Sequence, residues 1–121
     1  MQFLLLIYRS EAELAKISPP EMTAMSGEYF KFTVEIRNSG NYIGGNPLKP
    51  TSTATTVRVR DSKRVVTDGP FAETKEQLGG YYLIEASDLD QAISIAARIP
   101  GARHGSIEVR PIMPIAQAVQ A

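Results

Sequence analysis

The side chains able to do chemistry are few, and each admits a structural reading beside the functional one. Asp68, in Asp68-Gly69-Pro70-Phe71, is a carboxylate in a turn signal. As a functional group it would act as a general base or bind a cation at a pocket edge. As a turn residue it would accept backbone N–H bonds, with Gly69 at positive φ, Pro70 fixing the exit and Phe71 anchoring in the core. His104 is the only histidine, and imidazole is the side chain suited to proton transfer near neutral pH. A lone loop histidine also serves as a surface or capping group. Glu73 and Lys75 lie two residues apart and share a direction on an extended chain, as a ligand-binding pair or a solvated ion pair. Arg58 and Arg60 share one face of a strand, and Glu108 and Arg110 share a face of another. They would line a cavity or rim an interface. A buried arginine there would need a carboxylate partner such as Glu108, Glu85 or Asp68.

Other chemistries are excluded by composition. There is no cysteine, hence no thiolate nucleophile and no zinc-thiolate site. One histidine precludes a multi-histidine metal centre within one chain, and no acidic loop has calcium-binding spacing. No metal and no cofactor are expected. Gly79-Gly80 lacks the lysine and hydroxyl of a phosphate loop and reads as a bulge before a strand. The serines and threonines of 51–56 have no neighbouring base. With 13 basic and 13 acidic residues the chain lacks the positive excess of a nucleic-acid module. The opening Met1-Gln2-Phe3-Leu4-Leu5-Leu6-Ile7-Tyr8 is too short for a membrane helix and lacks the basic start and cleavage site of a signal peptide. A cytoplasmic protein is expected.

The elements that position these groups follow from periodicity. Phe3 to Tyr8 reads as a strand covered on both faces, and residues 9–17 as a connection with helical character over 11–16. Ser18-Pro19-Pro20-Glu21 starts a helix as a capping box. Met22, Met25, Tyr29, Phe32 and Ile36 form its core stripe, and Asn38-Ser39-Gly40 stops it. Residues 41–52 read as loop with a short strand at Tyr42-Ile43. Thr55–Arg60 and Arg64–Thr67 form a hairpin around Asp61-Ser62-Lys63. A strand over 80–86 precedes a helix whose apolar face is Leu89, Ala92, Ile93, Ala96 and Ala97, ended by Pro100-Gly101. Residues 106–112 alternate as a last strand, and 114–121 form a weakly helical tail after a domain spanning 1–113. This order predicts an α+β sandwich of ferredoxin-like type. Two helices cover one sheet face only, so the apolar first strand predicts a homodimer, sheet against sheet.

Residues 68–82, Asp-Gly-Pro-Phe-Ala-Glu-Thr-Lys-Glu-Gln-Leu-Gly-Gly-Tyr-Tyr, resemble the signature of the DGPF-domain family, a branch of the YCII-related proteins. Asp88-Leu89-Asp90-Gln91-Ala92, Gly105-Ser106-Ile107-Glu108-Val109-Arg110-Pro111 and the early Leu6-Ile7-Tyr8 resemble its other blocks. The resemblance covers nearly the whole chain and implies a dimeric α+β barrel. Related proteins carry a His/Asp pair in a cleft. Here the first helix has no histidine, and Glu28 and Tyr29 lie near that place. Many relatives adjoin or are fused to extracytoplasmic sigma factors, which implies a regulatory context. Three functions follow as expectations. One is small-molecule binding, with metal-independent acid–base catalysis by Asp68 and His104 helped by Glu73, Lys75, Arg58, Glu108 and Arg110. The second is a non-catalytic interaction domain for a regulatory partner such as a sigma factor. The third is an assembly domain without a ligand.

Overall fold

A computed structural model describes residues 1–115. The tail expected over 114–121 therefore lies almost wholly outside the described residues. Four strands form one antiparallel sheet: β1 (Gln2–Arg9), β2 (Tyr42–Pro47), β5 (Gln77–Glu85) and β6 (Ser106–Pro111), in the order β2-β5-β1-β6. Between β2 and β5 the chain builds a separate hairpin of β3 (Thr55–Arg60) and β4 (Lys63–Asp68). The helices are a single turn α1 (Glu11–Leu14), the long α2 (Pro19–Asn38) and α3 (Leu89–Ala97). Without the hairpin and α1, the path is strand–helix–strand–strand–helix–strand with the first strand central. This is the ferredoxin-like α+β arrangement.

Local chemistry sets the boundaries. The Ser18 hydroxyl accepts from the Glu21 N–H at 3.3 Å, and Pro19 and Pro20 fill the first turn of α2, where no N–H is needed. Gly40 leaves the helix at φ 80°, the left-handed stop. Asp88 caps α3, accepting from the Gln91 N–H at 2.8 Å. Asp61 and Ser62 both take positive φ (51° and 61°), as a two-residue hairpin turn requires.

Phe3, Leu5 and Ile7 alternate inward from β1, and Tyr82 and Ile84 do so from β5. Phe32 and Ile36 of α2 and Ala92, Ile95 and Ala96 of α3 close over them, with Ile99 beyond. Phe32 meets Tyr82 edge-on, ring centroids 5.2 Å apart. The opposite sheet face carries Leu4 and Leu6 of β1, Tyr81 and Leu83 of β5, and Glu108 and Arg110 of β6. The register sets Leu6 beside Glu108 and Leu4 beside Arg110. These leucines are half-buried by strand neighbours alone. Among the described residues no helix is long and apolar enough to cross a membrane.

Four expectations are corrected. β2 continues to Pro47 through Gly44-Gly45, within the stretch that reads as loop. A Cβ at Gly45 would lie 2.8 Å from the Tyr81 carbonyl oxygen, so the absent side chain is what lets this edge strand pair. The inward face of α3 is Ala92, Ile95 and Ala96, whereas Leu89 and Ile93 point outward, each 49% exposed. Two alanines bring the helix close to the sheet and set that rotation. Met22 and Met25 stand outside the core cluster, because the first turns of α2 overhang the end of the sheet. Phe71 is no core anchor: it lies on the loop after β4, 78% exposed.

Candidate functional site

The overhang creates a cleft. Arg9, the last residue of β1, forms its floor. Glu13 and Ile17 come from the α1–α2 connection, and Glu21, Ala24, Met25 and Glu28 from the underside of α2. Arg103 and His104 close it from the 3₁₀ turn Pro100–Arg103. Its volume is about 450 Å³, within the range of small-ligand pockets. The Glu28–Arg103 pair, 2.5 Å apart, separates it from a shallower groove of about 340 Å³ between α2 and α3.

Glycine chemistry fixes the turn that carries Arg103 and His104. Gly105 donates to the Gly101 carbonyl at 2.8 Å, and Gly101 donates to the Tyr29 hydroxyl at 3.1 Å. A Cβ at Gly101 would sit 2.6 Å from that hydroxyl, and one at Gly105 would run into the Tyr8 carbonyl oxygen. The turn therefore lies directly on the end of β1, which brings His104 and Arg9 to one cleft. On the far side, the Glu11 N–H donates to the Gln77 side chain at 2.8 Å. The Glu11 carboxylate in turn takes the Thr51 N–H at 2.9 Å and the Thr51 hydroxyl at 2.5 Å. These bonds tie α1 to the loop after β2 and to the start of β5.

Electrostatically the wall is mixed. Glu28 is paired with Arg103, and Glu13 lies 3.8 Å from Lys16. Glu21 sits in the first turn of α2, where the helix dipole favours a carboxylate. Arg9 has no carboxylate partner among the described residues. Its Nη1 reaches the Met25 sulfur at 2.9 Å, and its Nε is buried without an acceptor. Behind the turn, burial raises the Tyr29 hydroxyl above its ordinary 10.0, and the Gly101 N–H only partly offsets this. It stays a neutral phenol. Among the described residues no cluster of three histidine, aspartate or glutamate side chains could hold a metal ion.

The sequence candidates separate. His104 lines the cleft. Asp68 ends β4 opposite Thr55, exposed, and its carboxylate makes no hydrogen bond among the described residues. The turn it opens is held instead by the Gly69 N–H on the Ala54 carbonyl at 2.7 Å, by Thr56 donating to the Gly69 carbonyl at 2.9 Å, and by φ 94° at Gly69. Glu73 and Lys75 are exposed on the following loop and form no ion pair with each other. That loop is tethered by Glu76, which accepts from the Ser106 hydroxyl at 2.8 Å. Arg58 extends from the exposed hairpin. Glu108 and Arg110 form their own ion pair on the open sheet face, and the carboxylate raises the Arg110 guanidinium above its ordinary value. Tyr8 donates to Glu108 at 3.4 Å.

Arg9, Glu13, Glu21, Met25 and Arg103 were not among the site candidates read from sequence, where Glu21 stood as a helix cap and Met25 as core. One signal was available for Arg9: a charge placed immediately after an apolar strand must find either solvent or a polar recess.

The YCII-related domain family matches residues 1–116 of the chain. An uncharacterised protein of Rhizobium meliloti (strain 1021) is 49% identical over 67 residues. That match covers 54% of this chain and 54% of the relative, so the chain spans about half the length of the curated protein it matches. With a family match running from the first strand past the last, the chain belongs to the YCII-related domain family.

Proposed function

We propose that the chain binds a small molecule in the cleft at the end of β1 and transfers a proton there through His104, without a metal. The observation that carries this is the convergence of the sole histidine with Arg9, Arg103 and Glu28 around one 450 Å³ recess. Imidazole can give or take a proton near neutrality, while the arginines orient a polar substrate. Asp68 stands outside that lining and is assigned to the hairpin neck. The leucine-rich open face takes a second copy of the chain, and the cysteine-free composition fits a cytoplasmic location.

The test is a thermal-shift and turnover screen of metabolites against wild type and His104→Asn. A compound stabilising both proteins, with turnover reduced about a hundredfold or more in the variant, supports the reading. Equal turnover in both proteins refutes the role of His104. Sedimentation equilibrium should give twice the 13.2 kDa chain mass, and a monomer would refute the dimer.

A second reading, a non-catalytic interaction domain in a sigma-factor context, is favoured by the hairpin. Val57, Val59 and Val66 are each more than half exposed on it, with Phe71 just beyond its neck. Replacing Val57 and Val59 with serine should abolish capture of such a partner and leave small-molecule binding intact.

A further inference from the structure

We propose that Arg9 is the anchor of a carboxylate subsite, so that the cleft takes small monocarboxylates with an apolar body. This rests on the reading of the cleft as a ligand site and names its substrate class.

A guanidinium carries five N–H donors and no acceptor. For Arg9, the partners within the described residues amount to a thioether, the Met25 sulfur at 2.9 Å from Nη1. Nε is buried with no acceptor. Thioether sulfur is a weak acceptor, and a buried charged donor left without one is destabilising. Three glutamates line the same cleft, yet none pairs with Arg9. Glu13 is engaged by Lys16 and Glu28 by Arg103. Glu21 belongs to the start of α2.

The terminal edge of a guanidinium, its two Nη groups, matches the two oxygens of a carboxylate as a parallel pair of bonds, and here its partner is only a thioether. Arg9 is also preorganised. Its backbone pairs with Gln77 at the end of β1, and Gly105 packs so close that a Cβ built on that glycine would lie 3.1 Å from the Arg9 Cα.

The wall decides between anions. Two arginines and three glutamates line it, beside His104. With Glu13 on Lys16 and Glu28 on Arg103, Arg9 is the one cation left for a ligand: it balances a monoanion and leaves a dianionic phosphate half-compensated. Ile17, Ala24 and Met25 supply the apolar side on which the remainder of the molecule rests.

Benzoate is the probe, with benzamide as its neutral isostere and inorganic phosphate as the competing anion, titrated into ¹⁵N-labelled full-length chain. The arginine Nε–H signal that disappears in Arg9→Gln identifies the group. That signal should shift saturably with benzoate and stay unmoved by benzamide. Benzoate affinity, followed on the backbone amides of Met25 and Gly105, should fall about tenfold or more in Arg9→Gln. It should change less than threefold in Lys75→Gln, on the exposed loop outside the cleft.

Equal responses to benzoate and benzamide, or unchanged affinity in Arg9→Gln, overturn the anchor while leaving a ligand cleft. Tighter binding of phosphate overturns the monocarboxylate class. Should no probe move any cleft resonance, both the subsite and the cleft reading fall. Should Arg9→Gln fail to fold, the wild-type Nε–H contrast between benzoate and benzamide decides alone.

Discussion

Gly105→Ala and Gly27→Ala are the same chemical change with opposite expected signs. At Gly105 the added Cβ meets the Tyr8 carbonyl oxygen and lies 3.1 Å from both the Tyr8 carbonyl carbon and the Arg9 Cα. All three obstacles are backbone, so no rotamer change relieves them. Either β6 and the turn before it retreat from β1, or the strand end bends. Overpacking of this kind costs about 1–3 kcal/mol. For a domain of this size each kcal/mol moves the melting temperature by about 3–6 °C, so a cost near 2 kcal/mol predicts a fall of roughly 6–12 °C. Gly27 lies within α2 with nothing inside 4 Å of its Cβ position. There alanine removes backbone entropy from the unfolded chain and should stabilise by about 0.5–1 kcal/mol. Thermal and urea melts of the two variants beside wild type make the comparison. The displacement at Gly105 also moves Arg9, so benzoate binding should weaken in that variant and stay unchanged in Gly27→Ala. A Gly105→Ala protein melting within a degree of wild type would refute the close approach of the turn to β1.

Stability should decline above pH 10. Burial raises the Tyr29 and Tyr82 hydroxyls above their ordinary 10.0, so the unfolded chain loses these protons first. Stability is complete below that value and is lost as pH rises toward the folded-state values. Urea melts from pH 8 to 11 should show a shallower decline in Tyr29→Phe/Tyr82→Phe, and equal slopes would count against the burial effect. Asp68→Asn should change stability by less than about 0.5 kcal/mol, since an exposed carboxylate without a hydrogen bond gives up little. Cleft-ligand affinity should be unchanged, and a tenfold loss by calorimetry would return Asp68 to the site. Treatment with EDTA should leave the melting temperature where it was, and a drop of several degrees would reveal a metal site.

Much of the frame was legible because it rests on local rules. Alternation marked β3 and β6, and Ser18 with two prolines marked the start of α2 to the residue. The failures came where packing overrides composition. Gly44-Gly45 looks like loop until the neighbouring Tyr81 backbone is in place to require it. On α3, Leu89 and Ile93 are more apolar than Ala92, yet small residues face the sheet because the helix must approach closely. Phe71 has the hydrophobicity of a core residue and no core within reach. For the site, His104 was conspicuous as the only imidazole. The partnership of Arg9, Met25 and Arg103 was not legible, because three remote segments converge only once α2 overhangs β1 and the Gly101–Gly105 turn closes from the other side.

The central place of β1 has a consequence for biosynthesis. Its edges are completed by β5 and β6, with Phe3 opposite both Ile84 and Pro111. At ordinary translation speeds about a hundred residues separate the emergence of the first strand from that of the last, a delay on the order of 5–20 s. Throughout it, the nascent chain carries an apolar ribbon with two open edges, the kind of segment that pairs with other chains. Closure of the sheet therefore waits for β6, is governed by long-range contacts, and is slow by nature. Chains halted before Ser106 leave one side of β1 without its strand, and should aggregate beyond a dimer where the full-length product does not.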